Sequence, residues 1–347
     1  MLRPVSPPLL DLRPLALGEL IDRSATFWRQ HFKALFLLSL GFNLASYILA
    51  KSLQLVLQDT NAALLAAVRD NDVVTMGLEY ARLLSSVGGV MFFSLWLYYL
   101  NNLVVARYVI PLQLGDAVRP ADGLRRAWKR LGTLTGAYLL SLLWAVGAVL
   151  LMMLPGLVLG GLGGALAFSP GGAGRVVGVV LLVVGIILAG LGFLGGLLWY
   201  LLRFSLLAPV LALEPHALLR SFRRSGELLK GRVGPGFTGR VTVRVMLLVT
   251  VLSLVLIAVN LLCGLPALVL QFAYGNPLDP AAAGASQVPA ALLVPAELLQ
   301  VVGQAVFSPL GLVVYSMLYL DMRVRREGLD LERRVDVRSP GAPPVTA

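Results

Sequence analysis

Charge is the first thing this chain lacks. Only 14% of its 347 residues are Asp, Glu, Lys or Arg, whereas 58% are hydrophobic. A soluble domain carries about 25% charged residues, because its surface must stay wetted. So low a value excludes an ordinary soluble globule and points to a surface that faces lipid. Cysteine is nearly absent. The single Cys263 cannot form an internal disulfide, and it lies inside an apolar run where a thiol serves as packing rather than as a nucleophile. Histidine is scarce too, with His31 and His216 alone. No His-Glu-x-x-His pair, glycine-lysine phosphate loop or Gly-x-Ser-x-Gly elbow occurs. The sequence therefore offers no metal, cofactor or catalytic constellation, and a non-enzymatic protein is the expectation. The first 30 residues carry charges throughout and have no apolar core before a small-residue cleavage site, so no signal peptide is expected there.

What is abundant is long apolar sequence. A crossing helix needs about 20 apolar residues. Six runs qualify, over 32–57, 84–110, 134–168, 176–202, 243–272 and 291–320. The third is overlong and carries Pro155-Gly156 followed by Gly160, Gly161, Gly163 and Gly164. It reads as a span ending near Leu154 and then a kinked, glycine-rich, partly interfacial continuation. The spacing of Gly156, Gly160 and Gly164, with Gly192 and Gly196 in the fourth run, reads as close helix contact. The expected fold is an all-α polytopic bundle, a single membrane domain over 1–334 followed by a disordered cytoplasmic tail over 335–347.

The 29 Lys and Arg residues give a formal net charge of +11. They flank the apolar runs and form no basic, aromatic-interleaved domain, so nucleic acid is not an expected partner. They also alternate. Segments before spans one, three and five and after span six are rich in them, while the other loops hold only Arg69, Arg82 and Arg175. By the positive-inside rule both termini are cytoplasmic. The expected location is a bacterial inner membrane, crossed several times.

The three basic segments before spans one, three and five share a register. Leu17, Ile21, Ser24 and Trp28 fall at i, i+4, i+7 and i+11. Pro120, Leu124, Ala127 and Leu131 repeat that spacing, as do Leu218, Phe222, Ser225 and Leu229. Each is expected to form an amphipathic interfacial helix, apolar side down. Three repeats of interfacial helix plus two-span hairpin follow, over roughly 12–111, 112–213 and 214–334. Their basic residues Arg23, Arg29, Arg125, Arg126, Lys129, Arg223, Arg224 and Lys230 are candidates for contact with anionic headgroups or with protein partners at the cytoplasmic face. Inside the spans, Asn101, Asn102, Asn260, Gln300 and Gln304 are the polar residues that stand out, since such groups are costly in lipid. Interhelical hydrogen bonding is one reading of them and a substrate path is the other. Lys51, Arg107, Arg203 and Asp321 read as span-end residues. Glu297 is the acidic group with the greatest claim to lie at depth.

Three stretches carry a family resemblance. They are Leu12-Arg13-Pro14-Leu15-Ala16-Leu17-Gly18-Glu19-Leu20-Ile21-Asp22-Arg23 with Phe27-Trp28-Arg29-Gln30-His31-Phe32; Leu207-Ala208-Pro209-Val210-Leu211 with Leu219-Arg220-Ser221-Phe222-Arg223-Arg224-Ser225; and Tyr319-Leu320-Asp321-Met322-Arg323-Val324-Arg325-Arg326-Glu327-Gly328-Leu329-Asp330-Leu331-Glu332. Together they resemble the bacterial membrane-protein group related to the membrane domain fused to some glycerophosphoryl diester phosphodiesterases. The resemblance implies an architecture rather than a chemistry. In the fused proteins the hydrolytic part is a separate barrel of about 250 residues with a histidine and carboxylate metal site, and with His31 and His216 both in interfacial segments the enzyme name is not expected to carry over. Three functions are expected in this order: a membrane-organising, lipid-associated or scaffold protein; a transporter or lipid-handling channel with a site among spans two, five and six; an accessory domain for a phosphodiesterase.

Overall fold

The structure, a computed structural model, describes residues 13–129, 131–168, 171–213, 218–233, 236, 239–274, 288–329 and 331. Among these residues the regular secondary structure is helical, apart from an isolated bridge between Arg232 and Arg240. In chain order the helices are α1 Leu17–Gln30, α2 Phe32–Arg69, α3 Val73–Gln113, α4 Pro120–Lys129, α5 Leu131–Ala167, α6 Gly172–Phe204, α7 Leu207–Leu213, α8 Leu218–Leu228, α9 Val241–Tyr274 and α10 Ala290–Glu327. Six of them, α2, α3, α5, α6 (continued by α7), α9 and α10, are long and apolar enough to cross a membrane. Their large apolar side chains point outwards. Only 6% to 17% of the apolar window is buried in five of the six, against 56% in α10. Such a surface is stable only against lipid, so the chain is an all-α polytopic membrane protein. The expected tail over 335–347, the 275–287 part of the fifth-to-sixth loop, Pro215 and His216 lie outside the described residues.

The contacts group into two compact units. The first comprises 1–129 and 247–347, the second 130–246.

In the first unit α10 is the central helix, with α1, α2 and α3 packed on it. Its buried side includes Leu312, Val313, Met317, Leu318 and Tyr319. The N-terminal segment is tied to its end. The carboxylate of Asp321, 2% exposed, accepts the Leu15 backbone N–H at 2.8 Å, and Arg325 donates to that carboxylate at 3.0 Å and to the Leu15 carbonyl at 2.7 Å. Asp321 is thus a clamp and not a span-end snorkel. Gly328, at φ 64°, closes α10 in the left-handed conformation that glycine adopts without a Cβ penalty.

α1 packs inward with a face that shares only Ser24 with the stripe expected to lie on the membrane surface. Its buried face is Leu20, Ser24 and Phe27, while Leu17, Ile21 and Trp28 are half-buried. The reason is the neighbouring α10. The Trp28 indole donates to the Val306 carbonyl at 3.1 Å and stacks on Phe307, beside the gap that Pro309 leaves in the helix ladder. In α4 Ala127 is buried, while Leu124 is 45% and Trp128 74% exposed.

Helices α2 and α3 overrun the spans expected of them. At 1.5 Å per residue, the 38 residues of α2 reach about 57 Å, against a hydrocarbon layer of about 30 Å. The residues between the expected spans are helix on both sides of a tight turn. Ala62-Ala63-Leu64-Leu65-Ala66-Ala67 are strong helix formers without a Gly or Pro to stop them. The stop comes at Asn71, φ 56°, and Asp72, whose carboxylate caps α3 by accepting from Val74 N and Thr75 N at 3.1 Å. The Thr75 side-chain and backbone hydrogen bonds hold the Asp72 carboxyl below its ordinary range.

In the second unit α5 and α6 form a close hairpin. Here the sequence expectation fails. α5 does not end near Leu154 but runs unbroken through Pro155 to Ala167. The glycines explain why. A Cβ on Gly156 would collide with the backbone of Ala189, one on Gly163 with Leu182, one on Gly178 with Ala167, one on Gly185 with Gly160, and one on Gly192 with Met152. Contact glycines therefore recur every seven residues, on α5 at 156 and 163 and on α6 at 178, 185 and 192. The expected four-residue spacing holds only from Gly192 to Gly196. At Gly160 and Gly164 a Cβ would meet ordinary van der Waals contacts at 3.8 and 3.6 Å. Backbones this close compensate the bond lost at Pro155 with packing along the whole hairpin. At one end of it Phe222, Ser225 and Leu229 are buried, and Ser225 Oγ donates to the Arg203 carbonyl at 3.3 Å. The run past Leu202 breaks at Ser205-Leu206 before α7 begins.

Candidate functional site

Within the first unit, α2 carries a polar stripe. Ser39, Asn43, Ser46, Tyr47, Lys51 and Gln54 occupy i, i+4, i+7, i+8, i+12 and i+15, which is one helical face. α10 carries another, with Glu297, Gln300, Gln304 and Ser308 at i, i+3, i+7 and i+11. α3 adds Ser94 and Asn101, two turns apart. Between them lies a cleft of about 390 Å³, lined by Asn43, Tyr47, Lys51, Ser94, Glu297, Gln300 and Gln304 among others.

At one end of the cleft is an ion pair. Lys51 Nζ lies 2.6 Å from Glu297 Oε2, with side-chain exposures of 26% and 18%. Each charge also has a neutral partner. Tyr47 donates its hydroxyl to Glu297 Oε2 at 2.9 Å, and Lys51 donates to Gln54 Oε1 at 2.8 Å. Lys51 sits roughly 28 Å along α2 from Phe32, at 1.5 Å per residue. That distance is close to the thickness of a hydrocarbon layer, about 30 Å.

Away from the ion pair the cleft is lined by the amides of Asn43, Gln300 and Gln304. Gln304 donates to Asn260 Oδ1 at 2.6 Å and Gln300 to the same oxygen at 3.3 Å, while Asn260 donates to the Leu256 carbonyl at 3.2 Å. Cys263, beside this cluster, packs against Gly303. Further along, Asn43 donates to the Ser39 carbonyl at 2.8 Å, and Ser39 and Asn101, both buried, meet at a weak 3.4 Å. Of the five expected intramembrane polar residues, the structure thus brings Asn260, Gln300 and Gln304 together and pairs Asn101 of α3 with Ser39 of α2. Asn102 stands apart. Its Oδ1 is buried with no hydrogen-bond partner among the described residues.

Chemically the cleft has no nucleophile–base pair, and no group of His, Cys, Asp or Glu able to hold a metal occurs among the described residues. It offers instead one cation, one anion and several groups that donate and accept equally. Ionisable residues inside a membrane segment are rare, costly and functional by default. A buried ion pair is also a poor source of stability, because desolvation offsets most of its attraction. Packing alone gives no reason to keep this one.

The basic residues expected at the surface divide between the units. In the first, Arg29, Arg125 and Lys129 are exposed, while Arg23 is half-buried against a small cavity that Asp321 also lines. The side chain of Arg126 lies outside the described set. In the second, Lys230 is exposed, Arg224 half-buried, and Arg223 bonds Glu227 at 3.0 Å, which holds that carboxyl below its ordinary range. His31 is a turn residue between α1 and α2, its Nδ1 3.4 Å from the Tyr108 hydroxyl and its ring 4.4 Å from Phe27. Burial lowers its pKa and keeps it neutral, which suits a packing role.

Sequence reasoning missed the α2 half of the cleft. The signal was present as the recurrence of Ser39, Asn43, Ser46 and Tyr47 at helical spacing, but serine and tyrosine are common enough in spans to pass unnoticed singly. No family model, no curated protein and no solved structure matches this chain.

Proposed function

We propose that this protein is a transporter or lipid-handling membrane protein, and that the cleft between α2, α3 and α10 admits the polar part of its ligand. The observation that carries this reading is the pair of facing polar stripes that end in Lys51 and Glu297 beside 390 Å³ of open space. Pockets that hold small ligands range over about 300–1,000 Å³. The cleft shares Gln300 and Gln304 with the site expected among spans two, five and six, and its lining comes from spans one, two and six. With both termini cytoplasmic, as the Lys and Arg alternation argues, the ion pair faces the outer leaflet of a bacterial inner membrane. In this reading the three interfacial helices are membrane-surface repeats and the amide ladder is the inward part of the path.

The experiment is recovery of what the cleft holds. The full chain, extracted in a mild detergent, should co-purify with a polar lipid or solute detectable by mass spectrometry. The Gln300→Leu/Gln304→Leu variant should lose it while remaining monodisperse. Identical small-molecule complements in the two proteins would count against the proposal.

A second reading has one observation in its favour. On α4 the 74% exposed Trp128 lies beside exposed Arg125 and Lys129. That combination suits an anionic membrane surface and a lipid-associated or scaffold role. Replacing Trp128, Arg125 and Lys129 with alanine should then lower binding to anionic vesicles without touching the cleft.

A further inference from the structure

The charge arrangement of the cleft narrows the ligand class, and this step rests on the proposal that the cleft binds a ligand. We infer that the ligand is a zwitterion with one amine and one phosphate or carboxylate, and that it enters by opening the Lys51–Glu297 pair. The argument begins with what a charge costs in this position. Lys51 and Glu297 are about three-quarters and four-fifths buried, between helices with large apolar surfaces facing lipid. Either charge left without a counter-ion there carries a desolvation penalty that a neutral hydrogen bond offsets only in part. An anionic ligand taken by Lys51 would strand Glu297, and a cationic ligand taken by Glu297 would strand Lys51. A zwitterion exchanges one ion pair for two and strands neither.

The surroundings suit that exchange. Gln54 stays with Lys51 when the pair opens, whereas Glu297 parts from both Lys51 and the Tyr47 hydroxyl and takes the ligand's ammonium in their place. Tyr47, Lys51 and Gln54 all project from α2, whereas Glu297 projects from α10. Opening the pair is therefore a separation of two helices and leaves the partners of Lys51 in place. Gln300 and Gln304 line the next part of the cavity, and their amides serve either end of a zwitterion equally. The same chemistry occurs in a zwitterionic lipid headgroup and in a water-soluble amino acid or phosphoamine.

The test follows the unfolding midpoint of the full chain in a non-ionic detergent, titrated with three probes. They are dihexanoyl phosphatidylethanolamine, dihexanoyl phosphatidylglycerol and free O-phosphoethanolamine. The zwitterionic lipid should half-saturate at a concentration at least tenfold below that of the anionic one. Stabilisation by free phosphoethanolamine as well identifies a soluble zwitterion as sufficient; stabilisation by the lipid alone identifies a headgroup. In Glu297→Gln the order should reverse, because the remaining Lys51 takes the anion. In Lys51→Met/Glu297→Gln both responses should flatten. If Glu297→Gln does not fold, the double variant decides, and a zwitterion preference that survives in it overturns the proposal. Equal or stronger stabilisation of the wild type by the anionic lipid, abolished by Lys51→Met, removes the zwitterion but keeps the cleft as a site. Responses unchanged in Gln300→Leu/Gln304→Leu and in the double charge variant remove both.

Discussion

Replacing Glu297 with glutamine removes one half of a charge pair held at 2.6 Å and leaves Lys51 where it is. At an effective dielectric of about 20, attraction at that distance is about 6 kcal/mol, most of it offset by the cost of desolvating two ions. Glutamine keeps the shape and a Tyr47 contact but not the charge. The desolvation cost of Lys51 then remains and the compensation is lost. Breaking a fully buried pair costs about 3–5 kcal/mol. With exposures of 26% and 18% here, screening reduces that to about 2–3 kcal/mol for Glu297→Gln, and to a similar figure for Lys51→Met. The double variant strands no charge and should cost no more than about 1 kcal/mol. The assay is a double-mutant cycle on unfolding in detergent micelles, where the two single losses must fail to add. Single variants as stable as the wild type, or a double variant that costs the sum of the two, would refute the account of the pair as mutually compensated.

Three other outcomes follow from the same structure. Gly185→Ala should cost about 1–3 kcal/mol or prevent folding, because its Cβ would collide with the backbone of Gly160, whereas Gly160→Ala should be tolerated; equal midpoints for the two variants would contradict the seven-residue contact pattern. Asp321→Ala leaves the Leu15 N–H and Arg325 without their shared acceptor and should cost about 2–4 kcal/mol, read as faster tryptic cleavage after Arg23, in the helix that follows Leu15; unchanged cleavage would remove the clamp. Asp72 is held below its ordinary value of 3.8, so its cap is fully present above pH 4 and is lost as pH falls through the lowered value. Proteolysis by pepsin at the α2–α3 turn should therefore rise at the acid end of a pH 2–4 series in the wild type and be high throughout in Asp72→Ala.

The sequence made the membrane class and the six spans legible because lipid leaves an unmistakable record, long uncharged runs with basic flanks. What it hid has physical reasons. The 38-residue α2 looks like a span plus a loop, since Asp59, Asn61 and Arg69 interrupt the apolar pattern although nothing in them breaks a helix. Pro155 and its glycines look like a break because backbone-to-backbone packing, which rescues such segments, depends on a partner helix distant in sequence. The cleft was half legible. Asn260, Gln300 and Gln304 stand out singly, but the union of Lys51 with Glu297 spans almost 250 positions of chain, and no local pattern reports it. Asp321 was misread for the same reason, as its partner Leu15 lies at the other end of the chain.

The most direct test of the central claim is whether the α2 stripe faces a hydrated cleft. Ser46 lines the cleft, while Ile48, two residues on, is 66% exposed on the lipid-facing side. In a Cys263→Ala background, Ser46→Cys and Ile48→Cys place one thiol on each side of the same helix turn. A membrane-impermeant thiol reagent applied to intact cells should modify the cysteine at position 46 at least tenfold faster than the one at 48. Equal rates, or faster modification at position 48, would contradict the cleft.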